Sequence, residues 1–360
     1  MMALSRSERI TLALSVLFTA VAAALHFLHA GPILGFVASA AALSLLAAVV
    51  GQGTEQIGSR LGPGATGVLQ SALGNLPELF ICLFSLRAGL VDVVKAALVG
   101  SILANSLLVL GIAITVGGLR HGTQRFSSAS PRMIATLMLI GVTALAVPTL
   151  AHQLHTPAGS HEAALSAACA VVLIVVFVAS IPFSIHGDGS AASPIEAPAD
   201  KVEPARAPWP MALAVTLLSV AGIAAAFASE WFVDAMLPAT HALGISEAFT
   251  GFVIVAIAGN AVENVVGIQL AAKNQPDYAL SVVLNSSLQV ALLLTPILVL
   301  ASFFVGPTPL TLVLSPLLVA ALALATIVTA FVTVDGESIW AEGVALIGLY
   351  CIIAAAFWWG

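Results

Sequence analysis

The chain reads as an all-α integral membrane protein of about eleven transmembrane helices, one extra N-terminal helix followed by two inverted five-helix repeats. Three observations predict this. Of 360 residues, 60% are hydrophobic and only 8% are charged, with a mean hydropathy of +1.10; a soluble domain carries about 25% charge. Apolar stretches of the length a bilayer requires, about 20 residues each, follow one another and leave no room for a soluble domain. A short acidic motif occurs once in each half, as Gly74-Asn75-Leu76-Pro77-Glu78 and as Gly259-Asn260-Ala261-Val262-Glu263.

The first apolar run, 10–28, follows Arg6 and Arg9. It resembles a signal peptide but is long for one, so an uncleaved helix is expected, with cleavage as the alternative. Further spans are expected over 31–53, 64–87, 91–118, 131–151 and 163–184, then over 209–230, 249–272, 278–304, 310–333 and 339–358. Between the two groups lies a polar, Pro-rich stretch with Asp188, Pro194, Glu196, Pro198, Lys201 and Pro204, which reads as a linker. The expected organisation is therefore an N-terminal helix (1–30), a first repeat (31–184), a cytoplasmic linker (185–208) and a second repeat (209–360). Each half holds an odd number of spans, so the second enters the membrane in the opposite sense.

The basic residues give the orientation. With the N-terminus in the cytoplasm, Arg6, Arg9, Arg60, Arg120, Arg125, Arg132, Lys201, Arg206 and Lys273 fall on the cytoplasmic side. Only Arg87 and Lys95 fall outside, a strong positive-inside bias. The C-terminus is then expected outside, and a bacterial-type cytoplasmic membrane is the expected location.

Several function classes are disfavoured. No basic patch suits nucleic acid, and the net charge of −6 comes from few, scattered charges. Cys82, Cys169 and Cys351 lie in apolar segments without ligand spacing and read as small hydrophobes. His152, His155 and His161 share one loop, which reads as solvated, with a transition-metal site as the alternative. Asp335 and Glu337 read as a solvated turn. No His-Glu-x-x-His, Ser/Lys or paired-Asp protease signature appears, so an intramembrane enzyme is disfavoured and no cofactor is expected.

The repeated motif carries the chemistry. A carboxylate inside a span is costly and functional by default. Glu78 and Glu263 have no intramembrane Lys or Arg placed to pair with them, so they need a cation or protons. Asn75 and Asn260 stand three residues before each Glu, on the same helix face, and Gln70 lies two turns before Glu78 on roughly that side. Pro77 lacks an N–H and frees the Leu73 carbonyl. Twenty-three residues after each Glu comes a Ser, Ser101 and Ser286, followed by Asn105 in the first half and Ser287 and Gln289 in the second. These hard oxygen donors suit Ca²⁺, Mg²⁺, Mn²⁺ or Na⁺. The alternative for Ser101 or Ser287 alone is helix-to-helix hydrogen bonding. Glu55 and Glu230, at the expected ends of spans 2 and 7, are accessory candidates or interfacial charges. Burial favours the protonated form of a carboxylate and a bound cation favours the ionised form, so protons and a divalent ion would compete for the same oxygens.

These segments resemble the calcium/proton antiporter branch of the calcium/cation antiporter superfamily. The first stretch runs from Glu55 through Glu78 to Gly100-Ser101-Ile102-Leu103-Ala104-Asn105. The second runs from Gly259 through Glu263 to Ser286-Ser287-Leu288-Gln289, and the tail Asp335-Gly336-Glu337-Ser338-Ile339-Trp340 also fits. The resemblance implies that Glu78 and Glu263 bind the cation and exchange it for protons, assisted by Asn75, Asn260, Ser101, Asn105, Ser286 and Gln289. It implies Ca²⁺ and H⁺ as substrates and a lipid bilayer as surroundings. Three positions depart from the pattern. Pro77 is similar to the sodium/calcium branch, Asn264 replaces a common His, and Asn285 replaces a usual Gly. The readings left open are a Ca²⁺/H⁺ antiporter, a Na⁺/Ca²⁺ exchanger or another cation/H⁺ antiporter of the same fold, and a passive cation channel.

Overall fold

The computed structural model describes residues 4–61, 73–186 and 209–359. Twelve helices carry the described residues. They are α1 (Arg6–Phe27), α2 (Pro32–Leu61), α3 (Leu76–Arg87), α4 (Val91–His121), α5 (Ala129–Gln153) and α6 (Glu162–His186). After the linker come α7 (Met211–Leu243), α8 (Glu247–Gly259), α9 (Ala261–Ala272), α10 (Pro276–Ala301), α11 (Pro316–Thr333) and α12 (Trp340–Ala356). Residues 187–208, with the linker charges, and residues 62–72, with Gln70, lie outside the described residues.

Every expected span meets a helix. Among the described residues, eight helices are long and apolar enough to cross a bilayer, or nine if α8 and α9, bent by 64° at their junction, form one span. α12 is a 17-residue apolar helix, and α3 is described over 12 residues. Helix starts follow local chemistry. Ser5 and Glu8 form a reciprocal capping box on α1, Ser315 caps α11 ahead of Pro316, and Gly244 ends α7 in the left-handed conformation.

Two compact units emerge, and each takes helices from both sequence halves. The first holds α1, α2, most of α3, α7 and residues 258–262. Within it α2 packs along α7, with α1 against both, and Phe36 stacks on Phe232 at 4.6 Å between ring centroids. Trp209 enters this unit tied to α2: its N–H donates to Gln56 Oε1 at 3.0 Å, and its carbonyl accepts from the Arg60 guanidinium.

The second unit holds α4, α5, α6, most of α8, α9, α10, α11 and α12. α4 is its centre; 89% of its apolar window is buried. Glycine permits this. A Cβ on Gly100 would collide with the Phe252 carbonyl of α8, and one on Gly251 with the Val93 carbonyl of α4. One on Gly111 would lie 2.7 Å from the Gly343 carbonyl oxygen of α12. Close backbone approach of this kind packs helices where lipid supplies no hydrophobic drive.

Three expectations are corrected here. α7 runs on to Leu243, so Glu230 sits within a helix rather than at its end. α11 begins at Pro316; residues 310–314 form no helix, with Leu310, Leu312 and Leu314 buried in alternation. Their backbone N–H groups donate to Ser302 Oγ, Ser166 Oγ and Thr149 Oγ1, while Lys95 Nζ donates to the Val313 carbonyl at 2.7 Å. Side chains of α4, α5 and α6, with Ser302 just past the end of α10, thus replace the bonds a helix would make internally. The turn with Asp335 and Glu337 is not simply solvated. A two-residue antiparallel ladder pairs Gln124 with Ser338 and Arg125 with Glu337, and an exposed Arg125–Glu337 ion pair spans 3.2 Å.

Candidate cation site

The sequence placed both motif glutamates inside continuous helices, and the structure corrects this. Gly74 and Asn75 form a turn, and α3 begins only at Leu76. In the second half α8 ends at Gly259, Asn260 occupies the turn, and α9 begins at Ala261. Glu78 and Glu263 are each the third residue of a helix that follows a turn. Asn and Gly favour turns. Pro77 falls in the first turn of α3, where a missing N–H costs nothing and a fixed φ helps. The proline therefore starts a helix here instead of freeing a carbonyl within one. Asn75 closes the start, its carbonyl accepting from Leu79 N at 2.9 Å.

Around Glu78 the first unit is closed. Glu78 is 0% exposed, Asn260 1% and Asn75 6%. Asn260 Nδ2 donates to Glu78 Oε2 at 3.2 Å, so the asparagine of the second motif serves the glutamate of the first. Gly259 makes the approach possible, because a Cβ there would lie 3.0 Å from Glu78 Cβ. The amide satisfies part of the carboxylate without neutralising it.

In the second unit the serines and amides expected together are brought together. Ser101, Asn105, Ser286 and Ser287 are all buried; Gln289 is half-buried. Asn105 Nδ2 donates to Ser286 Oγ at 2.9 Å, joining α4 to α10, and Ser287 Oγ donates to the Ile102 carbonyl at 3.3 Å. Both helices carry a π-turn at this point, Ala104–Val109 in α4 and Val290–Leu294 in α10. π-turns cluster at functional sites because they re-aim side chains within a helix. Their placement repeats the sequence repeat: one starts three residues after Ser101 and the other four after Ser286.

Glu263 is half-buried rather than fully enclosed, at the start of α9 beside exposed Val265 and Val266. Asn264 next to it has a buried Oδ1 with no hydrogen-bond partner among the described residues. Of the accessory candidates, Glu55 is exposed on α2 and Glu230 is half-buried on α7. Asp234, one turn beyond Glu230, lies 4.0 Å from His26 Nδ1. The histidine loop holds an ion pair, His152 Nδ1 to Glu162 Oε1 at 2.6 Å. No cluster of three or more His, Cys, Asp or Glu able to hold a metal occurs among the described residues.

A broken helix, paired π-turns and a buried carboxylate in an all-helical membrane chain define a transporter rather than an enzyme. The model of the sodium/calcium exchanger protein family matches residues 31–186 and 213–359, and the chain belongs to that family. It is 35% identical to a protein of Synechocystis sp. named Ca²⁺/H⁺ antiporter, with 98% of each chain covered. It is 34% identical to the Ca²⁺/H⁺ antiporter ChaA of Bacillus subtilis, covering 87% of this chain and 88% of the relative. Among solved structures it resembles native YfkE, with a TM-score of 0.81 and 29% identity over 97% of this chain and 99% of that one.

Proposed function

We propose that this protein is a secondary antiporter that exchanges cytoplasmic Ca²⁺ for H⁺ by alternating access, with Glu78 and Glu263 binding Ca²⁺ or protons competitively. The observation that carries this reading is Glu78, a fully buried carboxylate whose neighbour Asn260 offers it a neutral amide. A buried carboxylate of this kind is tolerable when it holds a cation or a proton. The relatives named above, similar along nearly their whole lengths, support the choice of Ca²⁺ and H⁺. Asn75, Asn260, Ser101, Asn105, Ser286, Ser287 and Gln289 supply further oxygens, as a 6–8-coordinate Ca²⁺ requires.

The halves act as inverted repeats, a reading supported by the turn before each motif glutamate and by the paired π-turns. The positive-inside bias sets the N-terminus in the cytoplasm and the C-terminus outside. The second reading, Na⁺/Ca²⁺ exchange, is favoured by Pro77 and by the breadth of the matched family. Purified protein in liposomes, given Ca²⁺ under an imposed pH gradient with and without Na⁺, tests both. Ca²⁺ uptake is expected to follow the pH gradient without Na⁺. Flux that requires Na⁺ would select the second reading, and uncoupled flux would select a channel.

A further inference from the structure

The interval that separates Glu78 from Glu263 also separates Ser101 from Ser286, so α4 and α10 compare residue for residue. The two helices differ on one face. On α10, Tyr278, Ser281, Asn285 and Gln289 are half-buried. Their spacing of three or four puts them on one side of the helix. They form a polar stripe about 16 Å long at 1.5 Å per residue, from the first turn of α10 to its π-turn. The matching positions on α4 are Val93, Ala96, Gly100 and Ala104, all buried and without polar side chains. There the backbone of α8 closes the face, Phe252 against Gly100 and Gly251 against Val93.

Polar groups half-open on a membrane helix face water rather than lipid, because lipid leaves them unsatisfied. On α11, by contrast, the exposed large side chains are apolar: Leu317, Leu324, Ile327 and Phe331. Within the stripe, Asn285 Nδ2 donates to Ser281 Oγ at 3.1 Å. Asn285 Oδ1 accepts no hydrogen bond from the described residues and keeps its lone pairs for a ligand. Asn285 is the chain neighbour of Ser286 and lies one turn from Gln289, both proposed above to supply oxygens to the cation. α10 begins just after Lys273, on the cytoplasmic side by the positive-inside bias. Ca²⁺ accepts amide oxygens together with waters. With no carboxylate among them, such ligands hold the ion weakly, which suits passage rather than storage.

We infer that this face of α10 lines the cytoplasmic approach to the cation site, and that Asn285, held by Ser281, is a waypoint for the entering Ca²⁺. Its Oδ1 replaces one water of the hydrated ion before the ion reaches the donors deeper along α10. This rests on the Ca²⁺ transport reading and the orientation proposed above.

The test is Ca²⁺ transport by the full chain in oriented vesicles, with Ca²⁺ supplied at the cytoplasmic or at the outer face, beside thermal melting of the same proteins. Asn285→Ala and Ser281→Ala break the pair; Asn285→Asp keeps the oxygen and adds a charge. The expected result is a KM at the cytoplasmic face raised about three- to ten-fold in the alanine variants, the scale of one polar contact. Their kcat and their KM at the outer face stay at the wild-type values, and Asn285→Asp does not raise KM. A second measurement uses a chain with Cys82, Cys169 and Cys351 changed to Ala. In it Ser281→Cys is expected to react with a membrane-impermeant thiol reagent at the cytoplasmic face, and Leu324→Cys is not. An unchanged cytoplasmic KM in Asn285→Ala would overturn the waypoint, as would a KM raised equally at both faces with a lowered melting temperature. A Ser281→Cys that reacts no faster than Leu324→Cys would overturn the approach path. A wild-type protein with no Ca²⁺ flux under a pH gradient would overturn the transport reading instead.

Discussion

At the scale of single residues, Glu78 and Asn260 show how a sequence repeat becomes a cross-repeat contact. The Asn260 amide reaches Glu78 Oε2 because Gly259 has no side chain. On the proposed mechanism, Glu78→Gln or Glu263→Gln leaves one charge for a divalent ion and removes one proton carrier. Each variant is expected to insert normally and to lose nearly all Ca²⁺/H⁺ exchange, measured as initial Ca²⁺ flux in liposomes; robust pH-driven uptake by either would refute the two-carboxylate reading. Asn264 offers a finer test. Its buried Oδ1 has no hydrogen-bond partner among the described residues, and an amide cannot titrate where an imidazole could. Asn264→Ala is expected to slow flux modestly and keep its pH dependence. Asn264→His is expected to reshape the pH–rate profile near the pKa of histidine. If both substitutions change only thermal stability, Asn264 merely packs.

At the scale of elements, α4 is held by glycines where other helices use apolar side chains. A Cβ on Gly100 meets the Phe252 backbone, which cannot rotate away as a side chain could. Overpacking at such a point costs about 1–3 kcal/mol or more. Gly100→Ala is therefore expected to lower the detergent melting temperature sharply and reduce the yield of monodisperse protein. Gly348→Ala on α12 meets nothing within 4 Å and is expected to leave both unchanged. Equal melting temperatures would show that α4 and α8 can separate without loss. The sequence contained part of this scale. Apolar runs located the helices, and Ser5 with Glu8 and Ser315 with Pro316 mark two of their starts. Gly-Asn followed by Pro77 was also a legible start signal, read there as a mid-helix proline that frees a carbonyl because hydropathy continues past it. The extension of α7 past Glu230 was not legible. A helix continues through charged residues wherever its backbone bonds stay paired, and hydropathy does not report that.

For the whole molecule, the proposed competition between Ca²⁺ and protons for the same oxygens sets a direction. Protons must leave the carboxylates before Ca²⁺ binds, so apparent Ca²⁺ affinity is expected to rise with pH and then level off. Binding isotherms across a pH series check this, and a flat affinity would separate Ca²⁺ binding from proton release. By itself the sequence determined the all-helical membrane class, the doubled motif and its hard-oxygen donors, because these depend on composition and spacing along one chain. Only the tertiary structure decided that each motif glutamate follows a turn at a helix start, that Asn260 serves Glu78, and that residues 310–314 stay outside α11 on hydroxyls from α5, α6 and Ser302. Each depends on which distant group meets a backbone or side-chain polar atom once water is excluded. Burial makes those pairings obligatory, and local sequence does not choose the partner.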